Sequence, residues 1–393
     1  MQGLLALDRR IRVVVAANFI AVAARMSLVT FLGIYFVQRA GIDVTTVGLA
    51  FLCENLARGL LAPMFGALSD RIGRRALLLG SALLTAAVLP CFLLVTSPLT
   101  LILWSLALGT TGAINMPVAS ALLLDLAPAD RRQSVLALNY TAMSVSYTLG
   151  VMPAGYVAEQ GYGLLAAISS AGYVLVAVLY LLALRGALPT ENRPAGSGMV
   201  RDTVSAFLDR RFAVFASIAF VFPLSMGMVV TVSPLFGAAG GLGEGYIGLV
   251  LGGNSILVAL LALPLATRVE PLGPFRLLAP AAAIIAVAHA CYGLIPNTAT
   301  ALLVGTIVFS FGEVIFSSAV PAAVARLAPE GRRGAYQGSW ALIASLSMGS
   351  ALVLSGFVAK LAGWQGAWLA LAVLVGLAAL ALTWSVSEAA KSR

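Results

Sequence analysis

The chain has 393 residues, of which 61% are hydrophobic and only 10% charged, with a mean hydropathy of +1.00; soluble domains carry roughly a quarter charged residues, so a soluble globular protein is excluded. The formal charge of +9 is scattered between long apolar runs and offers no continuous phosphate-binding patch, so nucleic acid is not an expected partner. Cys53, Cys91 and Cys291 lie in apolar stretches without ligand-like spacing, so neither a disulfide framework nor a metal site is expected.

A membrane helix needs roughly 20 mostly apolar residues, and turn signals divide the chain into twelve such segments. They run Ile11 to Phe36, Val44 to Phe65, Ala76 to Val95, Leu99 to Leu126, Val135 to Ala158, Leu164 to Leu184, Phe212 to Phe236, Tyr246 to Thr267, Leu277 to Leu294, Ala301 to Leu327, Gly338 to Leu361 and Ala367 to Trp384. The runs are continuously apolar, whereas barrel strands alternate every second residue. The first follows Arg9, Arg10 and Arg12 and is too long for a signal-peptide core, so it is expected to be retained. Of the 24 basic residues, 20 fall in the termini and alternate loops on one side, and only Arg39 and Lys360 on the other. That asymmetry places both termini in the cytoplasm.

The longest polar connection, Arg185 to Arg211, carries Pro189, Pro194, Gly196 and Gly198 and follows span six. It reads as a linker (185–211) between two six-helix units, 1–184 and 212–393. Leu126-Ala127-Pro128 with Arg131-Arg132 recurs 201 positions later as Leu327-Ala328-Pro329 with Arg332-Arg333, after the fourth span of each unit. Duplicated parallel halves, one of the transporter arrangements, account for both matches.

The loop after span two reads Gly66-Ala67-Leu68-Ser69-Asp70-Arg71-Ile72-Gly73-Arg74-Arg75. It resembles the signature G-x-x-x-D-R-x-G-R-R of the major facilitator superfamily, and the twelve-span layout extends the resemblance over the chain. The resemblance implies an all-α polytopic membrane protein with two pseudo-symmetric six-helix bundles, and a cytoplasmic gate latch at Gly66, Asp70, Arg71, Gly73, Arg74 and Arg75. Physically, Asp70 among three arginines can hold neighbouring helix ends in one conformation and release them in another. A degenerate counterpart stands at Glu270 to Gly273. Gly312-Glu313 and Pro321 on span ten, followed by Arg333-Gly334-Ala335-Tyr336-Gln337-Gly338, are similar to the bacterial drug:proton antiporters. Two positions depart from that group: Ser105 stands where an arginine is usual on helix four, and Gly150-Val151-Met152-Pro153-Ala154-Gly155-Tyr156 shifts the helix-five proline and breaks its glycine pair.

Ionisable residues at mid-membrane cost roughly 2.5 to 3.5 kcal/mol on insertion scales, and they face cavities or pair with one another. Four stand out: Arg25, Glu54, Arg58 and Glu313. Glu54 and Arg58 are four apart with the acid first, the favourable order for a helical ion pair. Arg25 shares a face with Asn18 and is either a second partner for Glu54 or a cavity residue attracting anions. Thr306, Ser310, Glu313 and Ser317 form a polar stripe on span ten beside Phe309 and Phe316. No basic residue lies within a turn of Glu313, so desolvation favours its protonated form and makes it the first candidate proton-coupling residue, with Glu54 the second; the alternative for Glu313 is a fixed pair with Arg25. Thr111 and Asn115 on span four, and Met226 and Met228 on span seven, are candidates for substrate contact or for helix packing. His289, on span nine, is read as a packed histidine outside the site. Small residues step every fourth position along span five from Ala142 through Ser146, Gly150 and Ala154 to Ala158, with shorter ladders at Gly248 and Gly252 and at Ala341, Ser345 and Gly349. They suit helices that slide between halves.

The resulting expectation is a secondary transporter exporting small amphipathic compounds in exchange for protons, a monomer in the bacterial inner membrane whose partners are substrate, protons and lipid. Transport of one specific metabolite and lipid flipping fit the same fold. No cofactor is expected, and no nucleophile-base pair or P-loop points to an enzyme or primary pump.

Overall fold

The computed structural model describes residues 8–184, 206–330 and 332–391. Most of the expected linker, 185–205 with its prolines and glycines, lies outside the described residues. Among the described residues the secondary structure is helical throughout. Helix α1 (Arg9–Arg39) ends in a wide turn at Tyr35–Arg39; α2 is Val44–Ile72, α3 Arg74–Leu94, α4 Pro98–Leu126, α5 Arg132–Gln160 and α6 Tyr162–Ala183. The second half holds α7 (Arg210–Ala239), α8 (Glu244–Val269), α9 (Pro274–Leu294) and α10 (Thr298–Leu327). A last apolar stretch, Arg333–Thr383, is far too long for one crossing, and Gly363 (φ 72°) breaks it into α11 (333–362) and α12 (364–391).

Several of the helices start where side chains satisfy the orphan backbone donors of a first turn. Asp43 accepts from the amides of Thr45 and Thr46, Ser97 and Thr100 form a reciprocal capping box, and Asn297 accepts from Thr300. Several ends extend beyond the apolar runs: α2 continues to Ile72 rather than Phe65, and α11 begins at Arg333 rather than Gly338. The helical ladder persists past the hydrocarbon because nothing breaks it until Gly73 (φ 92°).

Duplication is written into the backbone. The six positive-φ glycines among the described residues pair as Gly41 with Gly241, Gly73 with Gly273 and Gly161 with Gly363, each pair about 200 positions apart. Each sits where a helix must stop sharply, in a conformation strained for any residue with a Cβ. Ser146 donates to the Phe19 carbonyl, tying α5 to α1, and Ser347 donates to the Phe220 carbonyl, tying α11 to α7.

The halves meet along α5 with α8 and α2 with α11. At one end the seams are tight. A Cβ on Gly48 would stand 2.5 Å from the Val353 amide nitrogen, and one on Gly248 2.9 Å from the Val151 carbonyl oxygen. Lys360 pairs with Asp43 at 2.6 Å, and Glu159 accepts from the Gly245 amide at 2.8 Å. At the other end, which carries Arg71, Arg74 and Arg75, Gly66 has open space around it, and Met64 and Tyr140 are exposed. The interior therefore opens towards the basic end.

Candidate functional site

Between the halves lies a cavity of about 340 Å³, lined by Asn55 and Arg58 of α2, Tyr140 of α5, Pro223 and Met226 of α7, Glu313, Phe316, Ser317, Val320 and Pro321 of α10, and Trp340, Ala344, Ser345 and Met348 of α11. Pro223 and Pro321 each interrupt the backbone ladder of their helix; Gln337 of α11 donates to the Pro321 carbonyl at 2.9 Å, tying α11 to α10.

The expected Glu54–Arg58 pair is not formed. Arg25 reaches across from α1 and pairs with Glu54, both buried, while Arg58 donates to the Asn55 side-chain carbonyl. The guanidinium of Arg25 fits because α4 presents Gly112 there, whose absent Cβ would lie 3.2 Å from Nη1. The alternative pair of Arg25 with Glu313 is also absent, since Arg25 is committed to Glu54.

Glu313 is buried, and its Oε2 accepts from Asn254 Nδ2 of α8 at 3.0 Å. Ser310 donates to Asn254 Oδ1 at 2.6 Å, and Thr306 shares a 2.6 Å hydrogen bond with the Tyr292 hydroxyl of α9. The stripe on α10 is thus one wall of a polar network that reaches α8 and α9. No cationic side chain pairs with Glu313 among the described residues. Thr306 and Ser310 face a second cavity of about 310 Å³ between α8 and α10, together with Asn254, rather than the central one.

The other candidates divide. Met226, Phe316 and Ser317 line the central cavity, and Phe316 stacks on Phe222 at 5.3 Å. Met228 does not; it is buried in a small gap against α11 and α12, because residues two apart on a helix point to opposite sides and Met226 takes the cavity side. Phe309 packs near His289, whose ring is fully buried between it and Trp368. Asn18 donates to Asn139 and accepts from Tyr180, which places it in the α1–α5–α6 packing. Thr111 returns its hydroxyl to the Leu108 carbonyl, and neither it nor Asn115 lines the cavity. Sequence reasoning missed Asn254 and Tyr292; the lone amide in the apolar run of α8 was the available signal.

At the basic end, Arg74 binds Asp70 at 3.3 Å and also Asp125 at the foot of α4, while Arg75 donates to the Leu181 carbonyl of α6 at 3.0 Å. Every one of these contacts stays within the first half. Asp125 was missed, although it directly precedes the repeated Leu126-Ala127-Pro128.

A model of the Major Facilitator Superfamily matches residues 14–298 and 215–393. The chain belongs to this family. It is 28% identical over 152 residues to a staphyloferrin B transporter of Staphylococcus aureus, covering 38% of this chain and 36% of the relative. It is 38% identical over 135 residues to the class C tetracycline resistance protein of Escherichia coli, covering 34% and 31%. Each match thus spans about a third of the relative's length. The nucleoside transporter NupG superposes with a TM-score of 0.82 at 15% identity, over 96% of this chain and 98% of that one, a likeness of fold alone. The chain is an integral multi-pass membrane protein of all-α architecture.

Proposed function

We propose that this protein exports small amphipathic compounds across the bacterial cytoplasmic membrane in exchange for protons, by alternating access. The observation that carries proton coupling is Glu313, a cavity-lining carboxyl whose partner is the neutral Asn254. Protonated, it sits at low cost in a closed, dry cavity; ionised, it needs water or a cationic group. Proton and cargo then exclude each other there, which is the requirement for exchange. The family resemblance to drug:proton antiporters and the similarity to a tetracycline resistance protein support this reading.

By the distribution of basic residues the open end is cytoplasmic. Asp70 and Arg71, both exposed here, are then available to engage the second half when that end closes, while Asp43–Lys360 and Glu159–Gly245 part at the other end.

A compound-susceptibility panel with and without expression identifies a cargo, and the purified protein in liposomes tests coupling. Glu313→Gln mimics the protonated state, so cargo-for-cargo exchange is expected to persist while accumulation driven by a pH gradient is lost. Retention of gradient-driven accumulation overturns the assignment. Transport of a single metabolite is the second reading, favoured by the altered helix-five pattern, in which Gly155 packs against the backbone of Glu244 and Gly245; a panel in which only one compound responds supports it.

A further inference from the structure

The first half brings two guanidinium groups and one carboxylate together at mid-membrane. Glu54 is taken by Arg25, and both are buried, at 4% and 7% exposure. Arg58, one turn along α2, lines the central cavity, and its hydrogen bond goes to Asn55, which carries no charge. Among the described residues no carboxylate pairs with it. The one acid in the cavity lining, Glu313, stands on the other half and is held by Asn254. Between these two side chains the lining is aromatic and thioether: Tyr140, Phe316, Trp340, Met226 and Met348.

A guanidinium without a counter-ion at this depth is unfavourable, and ionisable groups so placed mark substrate pathways. Its planar donor fork fits two oxygens of an oxyanion, which a lysine's point charge does not. We propose that Arg58 is an anion-binding subsite, and that the cargo is an amphipathic compound of a size to enter the 340 Å³ cavity, with an aromatic or aliphatic body and a carboxylate, sulfonate or phosphate group seated on Arg58. This rests on the transporter reading of the cavity. A cargo that also carries a protonated amine meets Glu313 on the opposite wall and competes there with the proton.

Three probes share one fluorophore and a similar spacer: Nε-dansyl-lysine carries a carboxylate and an amine, N-dansyl-6-aminohexanoate a carboxylate, and dansylcadaverine an amine. Energy transfer from tryptophan, Trp340 being in the lining, reads their binding to the purified full chain in detergent. Both carboxylate probes are expected to bind the unaltered protein about tenfold or more tighter than dansylcadaverine. Arg58→Gln is expected to remove that preference and Arg58→Lys to keep part of it. Equal or weaker binding of the carboxylate probes in the unaltered protein overturns the subsite, as does the absence of binding by all three at millimolar concentration; neither outcome depends on a variant folding. A preference that survives in Arg58→Gln overturns it as well. Carboxylate preference in a protein that shows no pH-gradient-driven transport removes the proton-coupled reading alone, whereas gradient-driven transport of dansylcadaverine without that preference removes the subsite alone.

Discussion

Neutralising Glu54 is expected to cost the folded protein more than neutralising Arg25, although the two form one ion pair. Their side chains are 5% and 8% exposed, so breaking the pair leaves a buried, uncompensated charge, a loss of about 3–5 kcal/mol. Glu54→Gln incurs all of it, because Arg25 and Arg58 are then two like charges with only Asn55 and neutral groups beside them. Arg25→Gln leaves Glu54 with Arg58 four residues ahead on the same helix, in the favourable order. Arg58 can exchange its bond to Asn55 for one to Glu54, which reduces the expected loss to roughly 1–3 kcal/mol. The double variant, with Arg58 still charged, is expected to cost less than the sum of the singles. Unfolding in mixed micelles by detergent titration measures all three. Equal losses for the two singles would refute the takeover by Arg58, and a double variant at the full sum would refute the coupling itself.

Asp70→Asn is expected to abolish or severely slow transport while the protein inserts and remains folded, since Arg74 keeps Asp125; unaltered transport rates would remove the latch role. Gly48→Val places a side chain against the Leu352 and Val353 backbone, so the α2–α11 seam should no longer close, and spin-label distances across it should lengthen; unchanged distances would contradict the close approach. The Asp43 carboxyl is held down from its ordinary 3.8 to about 2, first by the hydrogen bond from Lys360 and then by that from Thr45. Because the closed-seam value is the depressed one, the contact contributes fully above pH about 4 and is lost as pH falls towards 2. Seam opening over that window, measured by the same spin labels, should vanish in Lys360→Gln; a transition that persists there belongs to another group.

The spans were legible because a bilayer accepts few solutions: each crossing must satisfy its backbone internally and present apolar side chains over roughly 20 residues. The repeat at Leu126 and Leu327 was legible as well, since duplication is a one-dimensional property of the chain. Glu313 was also accessible, because an acid without a nearby base in an apolar run is conspicuous wherever the helix goes. Partnership was not. The spacing of Glu54 and Arg58 permits a pair, yet Arg25 takes Glu54 because α1 packs beside α2 and Gly112 leaves room for a guanidinium. Met226 and Met228, two apart, face opposite ways on any helix, but which of them meets the cavity is decided by how α7 is rotated in the bundle. Asn254 acquires meaning only when α8 lies against α10 and hands its amide to Glu313. Residue type and local spacing determine what a side chain is able to do; which neighbour it meets is set by helix rotation and interhelical approach, and those follow from packing over the whole bundle.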